Sequence, residues 1–189
     1  IEGASLFSSV AKGVAGGKGG VARSLFDQPV VQGQDIPSHH GLKSAVFPRA
    51  MLKGPEGGRF LRDDDRDKNR IVISTKIARD YPNPETKQPR KVGDSLKIGD
   101  ESFEIVGLYN TGSMLLDVVI IMDIDSARKV LKVSKDTVSS IYVEAADPSK
   151  IDDLSERIEK SVKGVDARGV NEIMSNFGEL MNQLDLFLL

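Results

Sequence analysis

Short apolar runs, separated by glycine, proline and charged turns, dominate the middle of the chain. Residues 71–74 form a β-branched run that predicts a buried strand, and residues 118–122 form a run that is apolar on both faces, as expected of a central strand. Residues 95–98 and 102–106 flank Gly99, which tolerates the positive φ of a tight turn, so they predict a β-hairpin.

Two short helices are predicted between the strands. Residues 76–80 form a helical piece that ends before Pro82, because the residue before a proline is biased away from the helical region. Asp123 or Asp125 is placed to cap a second helix over residues 126–131, since a carboxylate at that position accepts hydrogen bonds from the first free backbone N–H groups.

A strand, a longer helix and a last strand are predicted after residue 137. Residues 138–144 alternate in a half-regular way that favours a strand. Asp147, followed by a proline, begins a helix that ends at Gly164. Its apolar residues recur at spacings of three and four, which predicts one buried stripe: Ile151, Leu154, Ile158 and Val162. Residues 165–170 are suited to an edge strand.

The first third of the chain carries weaker signals. Residues 1–24 are rich in Gly, Ala, Ser and Lys, which indicates a weak helix or a mobile segment. Residues 28–62 alternate short apolar pieces with Gly and Pro and predict short strands and loops, and residues 63–69 form a charged turn. Taken with the later elements, this pattern predicts an α+β fold.

The last segment has the spacing of a helical seam. Its apolar residues step by three, one, three, three, one and three: Val170, Ile173, Met174, Phe177, Leu180, Met181 and Leu184. Residues 185–189 continue it with an apolar run. We expect a long helix that leads toward a transmembrane segment, although two heptads are also compatible with a helix packed on its own domain.

Composition and charge exclude several classes of protein. With 39% hydrophobic and 29% charged residues the chain is typical of a soluble globular protein. A net charge of -2 provides no field that would collect nucleic acid, so nucleic acid is not an expected partner. The absence of cysteine excludes disulfides and thiolate chemistry. No apolar run of about 18 residues occurs, so no segment of the sequence spans a bilayer.

A glycine-rich segment and an acidic turn imitate binding motifs without completing them. Residues 13–20 lack the spacing, the hydroxyl and the preceding strand of a phosphate-binding loop, which favours a flexible glycine segment. Asp63, Asp65 and Asp67 resemble the start of a calcium loop, but the required Gly and bidentate Glu are missing at the sixth and twelfth positions. A solvated acidic turn with at most loose cation binding is the better interpretation.

No catalytic, cofactor or metal site is predicted. His39 and His40 are adjacent and lack the cysteines that would complete a zinc site, so two surface histidines in a loop are expected. The sequence has no Gly-x-Ser-x-Gly elbow. We therefore predict that the protein is not an enzyme, with a hydrolase carrying an unrecognised site as the remaining enzymatic hypothesis.

Several motifs between residues 30 and 144 occur together and in a characteristic order. They are Val-Gln-Gly-Gln-Asp at 31–35, Lys-Gly-Pro-Glu-Gly-Gly-Arg-Phe at 53–60, Arg-Ile-Val-Ile-Ser at 70–74 with Ile-Ala at 77–78, and Val-Gly-Asp-Ser-Leu at 92–96 with Phe-Glu-Ile-Val-Gly at 103–107. In this order they resemble the extracytoplasmic core domain of MacB-like, LolC/LolE-like and FtsX-like ABC transporter permeases. Residues 120–123 with 127–128, and residues 141–163, extend the resemblance. Residues 1–27 depart from it, because they do not read as the strand and helix with which the domain usually opens.

The resemblance implies a two-lobed domain inserted between two transmembrane helices, on the extracytoplasmic side of the cell membrane. Residues 1–60 and 135–189 would form a membrane-proximal α/β lobe with a stalk helix at 170–189, and residues 61–134 a mainly β lobe. The implied function is to couple cytoplasmic ATP hydrolysis to work outside the membrane, as export, lipoprotein release or partner activation. A freestanding extracellular module that binds a peptide or a lipid is the alternative.

The same resemblance implies partners. They are a cytoplasmic ATPase subunit reached through the membrane part, a second copy of the permease in a dimer, and an extracytoplasmic adaptor, lipoprotein or peptide. The seam residues Val170 to Leu184 form the predicted coupling helix. The predicted contact loop consists of Tyr109, Thr111, Gly112, Ser113, Met114, Leu115 and Leu116, with a buried turn as the alternative.

Overall fold

Seven strands pair into one mixed sheet in the computed structural model, which describes residues 2–9, 29–169 and 172. The strands are β1 (Glu2–Ser9), β2 (Val30–Gln34), β3 (Arg70–Ser74), β4 (Ser95–Ile98), β5 (Glu101–Tyr109), β6 (Val119–Asp123) and β7 (Ser140–Val143). Their order across the sheet is β4-β5-β3-β6-β2-β1-β7. The pairs β3/β5 and β2/β6 are parallel, and the others are antiparallel.

Five α-helices complete the described part of the chain. They are α1 (Ile36–His40), α2 (Val46–Arg49), α3 (Thr75–Asp80), α4 (Ile124–Leu131) and α5 (Ile151–Ser161), and single 3-10 turns occur at Pro55–Gly57, Asp63–Asp65 and Pro148–Lys150. This mixture of helices with a mixed sheet confirms the α+β class. Among the described residues no helix is both long enough and apolar enough to cross a bilayer.

The core lies on both faces of the sheet because side chains alternate along each strand. On one face, Ile71 and Ile73 of β3 pack with Met122 of β6 and with α3 and α4. On the other face, Val72 and Ile121 pack with α1 and the segment that follows α2. Every residue of β6 is buried, which confirms the central strand expected from its two apolar faces.

Local sequence patterns were sufficient to predict several of these elements. The hairpin β4/β5 has Gly99 at a φ of 60° in its turn, as predicted. Ser74 caps α3 by accepting a hydrogen bond from the Ile77 N–H group at 3.0 Å. Asp123, rather than Asp125, caps α4. Residues 63–69 are a turn that begins with a 3-10 segment, also as expected.

Other expectations were wrong. The weak helix or mobile segment expected at residues 1–24 contains β1 instead, because pairing with β2 and β7 outweighs the weak intrinsic preference of small residues. The apolar piece at 45–47 contributes to α2 and not to a strand. Residues 165–169 form no strand in the described chain.

The chain divides into two units, Ile1–Glu144 and Ala145–Leu189, a boundary different from those of the predicted lobes. The lobe assignment itself, and which lobe faces the membrane, stays a prediction. In the second unit the predicted stripe of α5 is only half-buried at Ile151, Leu154 and Ile158, and Val162 is exposed just beyond the helix.

The histidine pair is divided between the interior and the surface, so the expectation of two surface histidines was wrong for His39. His39 is 8% exposed, and its ring meets Tyr142 edge-on with centroids 5.9 Å apart. Its Nδ1 atom is buried, and no residue that the structure describes forms a hydrogen bond with it. His40 is exposed, with its Nε2 atom 3.0 Å from the Leu61 carbonyl oxygen and its Nδ1 atom 3.3 Å from Asp63.

We expect the free energy of unfolding to fall as the pH is lowered from about 7.5 to about 5.5, because His39 is buried. Burial lowers the pKa of His39 and outweighs the opposing influence of Asp35. The unfolded chain therefore binds the proton first, so the contribution of His39 is complete above its unfolded pKa and is lost as the pH falls below it. Urea unfolding at the two pH values measures the loss. His39→Phe, which keeps an aromatic ring against Tyr142, should flatten the dependence, whereas a His40→Gln chain that flattened it equally would contradict this assignment.

Candidate contact site

The predicted contact loop connects β5 to β6 and is anchored at its base by Tyr109. This side chain is fully buried, and its ring meets Phe47 edge-on at 5.1 Å. The hydroxyl lies 2.7 Å from the Leu116 carbonyl oxygen and 2.6 Å from that of Val119, so its single proton is shared between these two acceptors on the returning chain. Burial, followed by the nearby charge of Asp117, raises the pKa of Tyr109 far above its usual value, which keeps the hydroxyl a donor.

Asp117 organises the interior of the loop. It is 8% exposed, and its Oδ1 atom accepts hydrogen bonds from the Thr111 N–H group at 2.9 Å and the Thr111 hydroxyl at 2.7 Å. The Thr111 Oγ1 atom in turn accepts from the Ser113 N–H group at 3.1 Å. The Asp117 N–H group donates to the Ser113 carbonyl at 2.8 Å, which closes the turn. The loop is therefore held by its own polar groups.

Two further bonds fix the loop to the sheet. The Ser74 hydroxyl donates to the Asp117 carbonyl at 2.5 Å while it caps α3, so one side chain joins the loop to the start of that helix. The Val30 N–H group donates to the Val118 carbonyl at 2.9 Å, which joins the loop to the first residue of β2. These bonds attach the loop to both elements.

The tip of the loop is apolar and exposed. Met114 is 69% exposed and Leu115 is 40% exposed, and residues 110–116 contain no charged side chain. Exposed apolar side chains at a fixed position are typical of contact surfaces. Of the seven predicted contact residues, Met114, Leu115 and Gly112 are exposed, and Met114 and Leu115 are the apolar side chains among them. Tyr109 is buried, and Thr111, Ser113 and Leu116 are half-buried, while Gly112 shapes the turn with a φ of 73°.

A second polar cluster is structural and was missed by the sequence reasoning. Asp65, expected in a solvated acidic turn, is 0% exposed. Its carboxylate accepts two hydrogen bonds from Arg59, at 2.5 and 2.9 Å, and one from Arg70 at 2.7 Å. Burial alone would raise the pKa of Asp65, but these bonds and one from the Arg62 N–H group hold it well below its usual range.

This cluster brings the separate family motifs together. Gly58 forms a β-bridge with Gly107, and the Arg59 N–H group donates to the Val106 carbonyl at 3.0 Å. The Gly-Arg turn and the Ile-Val-Gly end of the hairpin are therefore in direct backbone contact. A groove of about 400 Å³ runs beside it, lined by Gly58, Arg59, Arg70, Val92, Gly93, Glu104 and Val106. Its charged side chains are already paired with Asp65 or with each other.

The acidic residues do not assemble as the calcium-like spacing suggested. Asp65 turns to the arginines, whereas Asp67 joins Asp123 and Asp125, whose carboxylate oxygens lie within 4.8 Å of one another. These three groups are already engaged in the fold. Asp123 accepts from the Asp67 and Asp125 N–H groups at 3.2 Å each, and Lys129 lies 3.7 Å from Asp67. In the described structure this cluster forms the cap of α4.

The predicted coupling helix lies outside the described residues. Of the chain from residue 170 onward the structure describes Glu172 alone, which is helical and exposed. The role of the seven seam residues from Val170 to Leu184 stays a prediction.

Comparison with known proteins identifies relatives of the fold. A family model described as the MacB-like periplasmic core domain matches residues 4–161. The extracellular domain of the noncanonic ABC-type transporter YknZ from Gram-positive bacteria has a similar fold, with a TM-score of 0.56 and 13% identity over 88% of this chain and 78% of that one. The periplasmic region of MacB from Actinobacillus actinomycetemcomitans gives a TM-score of 0.55 and 13% identity over 94% of this chain and 75% of that one. A comparison with curated proteins finds no match.

Proposed function

Because this chain belongs to the MacB-like periplasmic core domain family, we propose that it transmits movement from the membrane part of an ABC transporter permease to a partner outside the membrane. The energy comes from ATP hydrolysed by a cytoplasmic subunit, and a second copy of the permease completes the transporter. The family is one of transporter permease domains and not an enzyme class. The contact loop is the proposed delivery end, and the segment from Val170 to Leu184 is the proposed coupling helix.

The course of β1 supports a position of the contact loop far from the membrane. Ser9 pairs with Val30, and Val30 bonds Val118, so the contact loop lies at the Ser9 end of the strand. Glu2 is at the other end, roughly 25 Å away at the usual rise of a strand. If a transmembrane segment precedes the chain, as the family resemblance implies, β1 leads away from the bilayer and places the loop at the far end, where a partner has access.

The loop's construction is the observation that carries the proposal. A contact surface delivers force only if it is fixed to a rigid body, and this loop is bonded to β2, to α3 and across its own base. Two adjacent exposed side chains of the loop, Met114 and Leu115, are nevertheless apolar, and contiguous exposed apolar surface marks contact sites. Rigidity and exposed apolar surface together favour a force-bearing contact.

Spin labels at the tip test the proposed coupling. The chain has no cysteine, so Met114→Cys gives one labelling site per copy once any cysteine elsewhere in the transporter is replaced. We expect the distance between the labels of the two copies, measured by pulsed electron paramagnetic resonance in the assembled transporter, to change when ATP is added, because the domains move with the ATPase cycle. A transporter that cannot bind ATP is the control. Identical distance distributions with and without ATP in an active transporter would contradict the proposal.

A further inference from the structure

We infer that Met114 and Leu115 are a preformed pair of anchors that insert into an uncharged apolar pocket of a protein, and that the contact loop does not bind a lipid surface. This inference rests on the proposed function, since it names the chemistry of the partner at the delivery end. Three features support it: the hydrogen bonds that form the turn, the absence of charged and aromatic side chains from residues 110–116, and the adjacent positions of Met114 and Leu115.

The turn that carries the tip is formed by the loop's own hydrogen bonds in the chain without a partner. Several hydrogen bonds close the loop and its base, three of them through Asp117 and others through the Tyr109 hydroxyl and the Asn110 side chain. Ordering a loop on binding weakens affinity, and a preorganised loop avoids that loss. A small contact made by two side chains therefore has useful affinity only because the turn is already formed. Asp117 is in this sense a positioning residue.

The composition of the loop favours a protein over a bilayer. Surface segments that bind membranes combine apolar residues with Lys or Arg for the headgroups and with Trp, Tyr or Phe for the interface. Residues 110–116 are Asn-Thr-Gly-Ser-Met-Leu-Leu, which have neither a basic nor an aromatic side chain. An uncharged tip matches an uncharged pocket, and the flexible thioether of methionine adapts to an irregular one.

The spacing of the two anchors adds specificity. Met114 and Leu115 are adjacent, and Gly112 at a φ of 73° and the Asp117 bond to Ser113 fix the turn on either side of them. Neighbouring apolar side chains on a narrow turn form a convex knob, which complements a concave pocket better than a flat surface. Each anchor that loses its burial should weaken binding about ten-fold.

Site-specific photo-crosslinking in cells tests the inference with the complete transporter. A photoreactive amino acid at position 114 is expected to give one discrete protein adduct, whose partner residues, mapped by mass spectrometry, are apolar. The same probe at Val138, which is 41% exposed, is the matched control and should not give this adduct. Leu115→Asp should reduce the position-114 adduct about ten-fold, and Leu115→Met should preserve it. Asp117→Ala should reduce it by loosening the turn.

Two results would overturn the inference. One is an adduct that maps to charged residues or that survives Leu115→Asp unchanged. The other is co-sedimentation of the 189-residue chain with vesicles of phosphatidylcholine and phosphatidylglycerol that Met114→Asp abolishes, since that would assign the tip to lipid. Failure of the proposed function gives a different result. An adduct between position 114 and apolar residues, together with a label distance that does not change with ATP, would support the pocket and contradict the coupling role.

Discussion

Replacing Asp65 by asparagine is expected to lower the free energy of unfolding by about 3 kcal/mol, a larger loss than at any exposed carboxylate of the same turn. The carboxylate is fully buried and accepts four hydrogen bonds, three of them from the guanidinium groups of Arg59 and Arg70. Asparagine keeps the shape but removes the charge, and it turns one oxygen acceptor into a donor facing two arginines. Arg59 then loses its paired carboxylate, and Arg70 keeps only Glu104.

Asp64→Asn is the matched control. Asp64 lies in the same 3-10 turn, one position away, and is exposed. Its replacement should change the unfolding free energy by less than about 0.5 kcal/mol. Urea unfolding of the three chains at neutral pH measures both effects. Equal losses in the two variants would show that the arginine cluster contributes nothing specific to stability.

The same residue gives an acid dependence with a defined sign. The folded pKa of Asp65 is held below its ordinary value, so its stabilising contribution is present above the unfolded pKa of about 3.9 and is lost as the pH falls toward the folded value. The native chain should therefore lose stability on acidification below about pH 5 more steeply than Asp65→Asn does. Parallel losses in the two chains would remove Asp65 from the acid response.

The acidic turn shows what spacing alone cannot supply. Asp63, Asp64 and Asp65 are adjacent and chemically alike, and the sequence reasoning treated them as one solvated group. Which of them turns inward is decided by Arg59 and Arg70, which reach the turn from a different loop and from β3. Long-range partners of this kind leave no local periodicity, whereas β6 could be predicted because its five buried residues are contiguous.

The contact loop could be predicted only in part, because its local composition was readable and its long-range partners were not. Its composition indicated an apolar tip, and Met114 and Leu115 are exposed. That Tyr109 would be an anchor and not a contact residue depends on its carbonyl partners across the turn, Leu116 and Val119, which the sequence did not identify. The strand β1 was missed because small residues carry little intrinsic preference, and pairing on both sides determines its conformation.

Gly107→Ala is expected to cost about 3 kcal/mol or to prevent folding. A β-carbon at this position would lie 2.1 Å from the Arg59 carbonyl oxygen and 2.6 Å from the Met51 Cε atom. The methionine end can move, but the carbonyl cannot, because the Arg59 backbone is bonded to Val106 and bridged through Gly58 to Gly107 itself. The substitution therefore separates the Gly-Arg turn from the hairpin.

Gly99→Ala is the comparison that isolates packing from backbone strain. A β-carbon there meets no atom of the described residues within 4 Å, so the φ of 60° is what opposes the substitution, at a cost of about 1 kcal/mol. Moving the Arg59 backbone also moves its guanidinium away from Asp65, so the losses from Gly107→Ala and Asp65→Asn should be less than additive in the double variant. Strict additivity, or a Gly107→Ala loss no larger than that of Gly99→Ala, would mean that the two motifs are independent. We expect instead that the Gly-Arg turn and the hairpin depend on each other. Asp65 fixes the side chain of Arg59, and the backbone of Arg59 leaves room only for glycine at position 107.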